Sequence, residues 1–267
     1  MVSLANSKSE VAFLNQKDLV EQLIALGVKL GDVLEVHASM KSIGYIVGGA
    51  PTLVDALLSV VGLEGTLVMS AQSWGNSEPS YFQNPPIELD QFERLRNSHP
   101  AYRGKMDDFR YMGELTKAVQ MRPNSYVSPH PQYGFIAIGK HAKWITQSHP
   151  LNEGFGLDSP LGKMLELNSK ILLIGVNYDR ATGMHLGEHL SQKRPIQIQG
   201  SRMVVKQEEQ WVKFLTQDYD SDDFIPVGKI LEDKQKVIFG KLGNAECRLL
   251  SLKDATEFTQ RYFKENV

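Results

Sequence analysis

The chain has a single cysteine, Cys247, in 267 residues. It can form no intrachain disulfide, and this scarcity suits a reducing compartment. Charge of one sign is scarce as well. A net charge of -2 supplies no basic field to draw nucleic acid or an anionic membrane. Long apolar runs are missing: Ile171-Leu172-Leu173-Ile174 is far short of the roughly 20 residues that span a bilayer. Met1 to Asn15 is polar and mixed, without the apolar stretch of a signal peptide. No repeat or low-complexity tract occurs. The expectation is a cytoplasmic globular protein without nucleic-acid or membrane partners. At 42% hydrophobic and 22% charged, the chain can bury a core without staples.

Apolar residues at Leu19, Val20, Leu23, Ile24 and Leu26 predict a helix over 17–26 that Gly27 can end. Val33 to Ala38 reads as a strand, Ile43 to Ala50 as a glycine-bearing loop, and Pro51 as the first residue of a helix to Val60. Gly65 to Ser70 is a second strand. This order opens a three-layer α/β/α fold. From Trp74 to Arg110 prolines and polar residues predict an irregular substrate-side loop region, with a short helix over 88–97. A helix over 112–121 and a strand over 135–138 follow. Lys170 to Val176 is the clearest core strand, leading to a helix over 182–192. Met203–Lys206 with Trp211–Leu215, and Val237–Lys241 with Cys247–Leu250, read as antiparallel hairpins. A helix over 252–263 closes a single domain of residues 1–267. The β-sheet should be mixed, with antiparallel hairpins in the C-terminal third.

Two stretches can carry chemistry. The loop Ser39 to Pro51 follows a strand and feeds a helix start, where exposed amides and glycines suit an anion. It matches neither the Walker A nor the GxGxxG spacing, and a plain βα connection stays open. In Thr182-Gly183-Met184-His185-Leu186-Gly187-Glu188-His189, Thr182 as N-cap places His185 in the first helical turn. The positive helix end disfavours the imidazolium there. Glu188, one turn on, can orient the ring. The same residues spell His185-x-x-Glu188-His189, an inverted zincin pattern, so a zinc-dependent hydrolase is an open alternative. His130 and His149 precede prolines and read as structural. The acidic run Asp218, Asp220, Asp222, Asp223 reads as a solvated loop, and Cys247 as a packing residue in a strand.

Blocks across the chain also resemble the aminoglycoside 3-N-acetyltransferase family. They are His37 to Leu57, Gly65 to Trp74, Asn84-Pro-Pro, His99-Pro-Ala-Tyr, Tyr111-Met-Gly-Glu-Leu, Ser128-Pro-His-Pro, Ser159-Pro-Leu-Gly-Lys, Leu172 to Asp179, and Thr182 to Glu188. They run in order over residues 17–195. The resemblance implies an α/β/α fold with a mixed sheet, acetyl-CoA as cosubstrate and no metal. It implies that His37, Ser39, Lys41, Ser42, Gly44, Val47, Gly48 and Gly49 hold the coenzyme. His185 matches the family's active-site histidine, with Asp179 and Glu188 in the polar group around it. Two departures bear on the acceptor: Ser70-Ala71 stands where the family often has Pro-Thr, and Gly104 to Arg110 differs from the usual turn.

The implied reaction is direct acetyl transfer from acetyl-CoA to an amine of an aminoglycoside or related acceptor. His185 would be general base, and amides of the glycine loop or the Ser39 hydroxyl would meet the oxyanion. Binding of the coenzyme without activity on aminoglycosides is the other alternative. Trp144, Trp211 and the late hairpins offer a surface for a homodimer.

Overall fold

Alternation along one strand sets the whole architecture. In a computed structural model, which describes residues 13–266, Val33, Glu35 and His37 share one face of a buried strand. Leu34, Val36 and Ala38 share the other. Most of the polar N-terminal stretch, residues 1–12, lies outside the described residues.

In chain order the elements begin β1 (Phe13–Leu14), α1 (Gln16–Leu26), β2 (Val33–Ala38), α2 (Met40–Ile43), β3 (Tyr45–Ile46), α3 (Ala50–Val61) and β4 (Thr66–Ser70). Then come α4 (Phe92–Ser98), α5 (Gly113–Gln120), β5 (Ser125–Val127), β6 (Phe135–Gly139), α6 (Ala142–Thr146), α7 (Pro160–Glu166) and β7 (Lys170–Ile174). The chain ends α8 (His185–Ser191), β8 (Ile196–Val205), β9 (Glu208–Gln217), α9 (Phe224–Asp233), β10 (Val237–Leu242), β11 (Ala245–Ser251) and α10 (Leu252–Asn266).

Seven strands form one sheet in the order β10-β11-β7-β2-β4-β6-β5. Strand β2 runs parallel to β4 and β7, while β6, β5 and the late β10–β11 hairpin add antiparallel pairings. The sheet is mixed, as expected, although antiparallel pairing begins mid-chain. Helices α1, α3 and α5 cover one face through Leu19, Leu53, Leu57 and Leu115. Helices α6 to α10 cover the other through Ile145, Leu161, Leu186, Val227 and Phe263. The result is three layers.

Local signals explain most boundaries. Asn15 and Asp18 form a reciprocal capping box at α1, and Gly27 closes that helix at φ 101°. Pro51 falls one residue inside α3, after Gly49 as N-cap. The hairpins extend beyond the predicted residues. The β8–β9 ribbon pairs Ile196 with Gln217 through to Val205 with Glu208 and stands apart from the main sheet. Segments without a sequence prediction include β5, α6, α7 and α9. No helix among the described residues is long and apolar enough to cross a membrane.

Candidate active site

Strands β2, β4 and β7 end on the same side of the sheet, and a cavity of about 520 Å³ opens there. Its wall takes His37 and Ala38 from the end of β2, Ser70 from β4, Asp179 and Thr182 beyond β7, and His185 from α8. Trp74 and Tyr81 line it from the irregular segment, Tyr111 from just beyond it, Gln197 and Gln199 from β8, and Asp218 and Tyr219 from the stretch after β9. Ligands of α/β proteins sit outside the carboxyl ends of strands for this reason.

His185 is the first residue of α8. Thr182 does not cap that helix; it lies in a separate 3₁₀ turn, 182–184, and its hydroxyl lies 2.8 Å from that of Ser70. The predicted helix over 182–192 is therefore a 3₁₀ turn followed by α8. His185 Nδ1 lies 2.5 Å from Glu188 Oε2, and Glu188 is wholly buried. The imidazole stacks on Phe155 with centroids 4.5 Å apart and meets Phe224 edge-on at 4.7 Å. One nitrogen is thus committed to the carboxylate, and the ring plane is clamped.

Glu188 is held in turn. Arg194 Nε donates to its Oε1 at 2.5 Å, and the Asp220 amide donates to the same oxygen at 3.1 Å. Arg194 also reaches Asp223 Oδ2 at 2.5 Å and sits over the Phe263 ring. The run 218–223 is consequently not a free solvated loop: Asp220 and Asp223 secure this network, and Asp218 lines the cavity. Asp179 is on the wall but pairs with Arg180 at 3.1 Å rather than with His185. His189 Nδ1 bonds the Tyr219 hydroxyl at 2.6 Å, and burial lowers its proton affinity. Among the described residues, no three His, Cys, Asp or Glu side chains converge as a metal site.

The coenzyme-side candidates divide. His37 lines the cavity, whereas Ser39, Lys41, Ser42, Gly44, Val47, Gly48 and Gly49 belong to the segment continuing from its edge. Ser39 caps the short α2, and Ser42 Oγ donates to Ser39 Oγ at 2.8 Å. Gly44, Gly48 and Gly49 have φ of 101°, 81° and 66°, which side chains disfavour. Space around the Gly49 Cβ position is open, and no side chain caps α3. Lys41 has no ion-pair partner among the described residues. A helix start and an unpaired cation within one short segment suit a pyrophosphate.

The sequence profile of the family described as aminoglycoside 3-N-acetyltransferase matches residues 36–264. The chain belongs to that family. It is 36% identical over 252 residues to the SPbeta prophage-derived aminoglycoside N(3')-acetyltransferase-like protein YokD of Bacillus subtilis (strain 168), covering 94% of this chain and 93% of that one. The crystal structure of YokD superposes with a TM-score of 0.91 at the same coverage. A binary structure of AAC-IIIb with CoASH matches at 25% identity and a TM-score of 0.85, covering 95% and 97% of the two chains. AAC-VIa bound to sisomicin matches at 25% and 0.85, covering 95% and 98%.

As a member of the 3-N-acetyltransferase family, the protein is an acetyltransferase. Several residues around its site give no local signal in the sequence. Arg194, Phe155 and Tyr219 lie far apart in sequence and meet only through the fold. Glu35 did leave a signal: a carboxylate inside the apolar strand Val-Leu-Glu-Val-His-Ala is costly unless it is held. Ala71, at the position of the family's frequent threonine, is fully buried, and its amide donates to the Gly134 carbonyl. Gly104 to Met106 form a 3₁₀ turn whose Lys105 ammonium donates to the Arg122 carbonyl.

Proposed function

We propose that this chain, working in the cytoplasm as one domain, moves the acetyl group of acetyl-CoA directly onto an amine of an aminoglycoside or related acceptor, with His185 as general base. The observation that carries this reading is the buried His185–Glu188 pair, 2.5 Å apart, with His185 on the wall of the cavity and Glu188 behind it. A nitrogen must present a lone pair to attack a thioester. His185 takes the proton from that nitrogen, and Glu188 keeps the ring in place and favours the imidazolium as it forms. The carboxylate does so best while Arg194 and the Asp220 amide hold its other oxygen.

Asp179 acts at the cavity wall on the acceptor's ammonium groups. The segment 74–110 serves the acceptor side through Trp74 and Tyr81. The residues Ser39 to Gly49 fit a coenzyme: Gly49 leaves the backbone open at the start of α3, and Lys41 is free to meet a phosphate. The only thiol, Cys247, is buried, and burial pushes it up to about 11. That favours direct transfer over an acetyl-cysteine route.

Thiol release from acetyl-CoA, followed with a panel of aminoglycosides in wild type and His185→Ala, tests the reading. Amine-dependent release that falls about 10²-fold or more in the variant supports it. Equal turnover in the two proteins would remove His185 from the role.

A further inference from the structure

The centre of the sheet carries a carboxylate that the chemistry above leaves unused. Glu35 sits on β2, the fourth of seven strands, and is fully buried. Its Oε2 accepts the Gly183 amide at 2.9 Å, in the 3₁₀ turn that leads into His185. A Cβ on residue 183 would lie 2.5 Å from that oxygen, so glycine is what permits the approach.

The other oxygen is the informative one. Glu35 Oε1 lies 3.1 Å from His37 Nε2 yet makes no hydrogen bond. It is the only carboxylate oxygen among the buried side-chain atoms of the described residues left this way. The Thr182 amide donates to the same ring nitrogen in a long bond of 3.4 Å, which a proton on Nε2 displaces in favour of the closer carboxylate. Two bare acceptors do not rest 3.1 Å apart in a dry site. A proton on Nε2 converts the contact into a charge-assisted hydrogen bond after a small ring rotation. That leaves Nδ1 as the ring nitrogen without a partner among the described residues, on a side chain that lines the same cavity as His185.

We propose that Glu35 and His37 form a second histidine–carboxylate pair in this pocket, with His37 protonating the leaving group and Glu35 as its positioning residue. The proposal rests on the acetyl-transfer reading above. The two pairs divide the labour: His185 takes a proton from the attacking nitrogen, and His37 supplies one at the departing sulfur. For this step His37 enters as an imidazolium paired with Glu35, with a proton on each ring nitrogen. As the carbon–sulfur bond breaks, its electron pair stays on sulfur and the Nδ1 proton moves to it, leaving a neutral ring protonated on Nε2. Exchange with water then removes the proton from His185 and restores the one on His37, so the cycle closes without another reagent. The placement fits this division, since His37 ends β2 immediately before the Ser39–Gly49 segment assigned to the coenzyme, while His185 sits on α8.

The first test uses the coenzyme-free protein. Imidazole ¹⁵N NMR, assigned with His37→Gln, is expected to show His37 Nε2 protonated, with a downfield proton that shifts in Glu35→Gln and vanishes in Glu35→Leu. Glu35→Gln keeps an acceptor for Gly183, so it guards against a folding defect in the leucine variant. An unprotonated Nε2 in wild type overturns the pair. The second test separates chemistry from binding. In His37→Gln, kcat should fall about 10²-fold, with the amine KM and the Kd for CoASH changed by less than about threefold. Thiol release in wild type with an unchanged kcat in His37→Gln, or a fall matched by lost CoASH binding, overturns this proposal alone. No thiol release from wild type with any amine would sink the acetyl-transfer reading, and this proposal with it.

Discussion

Arg194 grips the one oxygen of Glu188 that His185 does not use. Its Nε donates to Oε1 at 2.5 Å, while Oε2 faces His185 Nδ1 at the same distance. The geometry makes Arg194 part of the base even though it is absent from the cavity wall. Replacing Arg194 with Leu leaves a buried carboxylate without its cation, which costs about 3–5 kcal/mol. Thermal melts should show that loss, and kcat should fall with it. Arg194→Lys keeps the charge but not the fork to both Glu188 and Asp223, and should recover only part. A leucine variant with wild-type melting would contradict this account.

Phe155 stacks on His185 at an interplanar angle of 6°. Phe155→Ala removes that wall and opens a void in the core, with an expected loss of about 3–5 kcal/mol. Phe155→Leu keeps most of the volume but not the flat face. Its kcat should drop about tenfold while Kd for CoASH holds, as expected for a misplaced base. Calorimetry against steady-state kinetics separates the two effects, and equal kcat in Phe155→Leu would deny the ring an orienting role.

Acid should unfold this protein through two histidines outside the catalytic group. The His130 and His149 rings lie 4.6 Å apart at a tilt of 50°, and burial holds both below the ordinary imidazole value, His130 at about 4. His130 Nδ1 accepts the amides of Gln132 and Tyr133, and its Nε2 faces the Leu151 carbonyl. The unfolded chain therefore binds more protons than the folded one. This contribution is complete above pH 6.5 and drains as pH falls towards about 4. For His130 alone it amounts to roughly 3 kcal/mol. Denaturant melts between pH 4 and 7.5 should show the slope, and His130→Gln should flatten it. A profile unchanged by that substitution would place the acid sensitivity elsewhere.

Cys247 sits on β11 with its thiol wholly buried. Cys247→Ala should leave kcat within about twofold and lower stability by about 1 kcal/mol through lost packing. In wild type, an alkylating reagent should react only on unfolding. An inactive but well-folded alanine variant would reopen an acetyl-cysteine route.

Much of the frame was legible because it rests on local chemistry. The apolar spacing of α1 with its terminal glycine, the strand alternation of β2, and the unbroken apolar run of β7 each declare themselves within a dozen residues. The His185–Glu188 contact was legible too, because residues one helical turn apart share a face. Thr182 misled for the opposite reason. A threonine ahead of a helix is a good cap in isolation, yet the Ser70 hydroxyl from another strand claims it.

The alternation of helices and strands, the family blocks, the near-neutral charge of -2 and the histidine–glutamate pair depend on near neighbours or composition, and so are readable along the chain. Which distant groups complete the site depends on how the sheet and its helices pack. Arg194 and Asp220 reach Glu188, Phe155 covers His185, and Glu35 on the central strand meets Gly183 across 148 positions of chain. Contacts of that separation follow from sheet order and packing, which no local periodicity encodes.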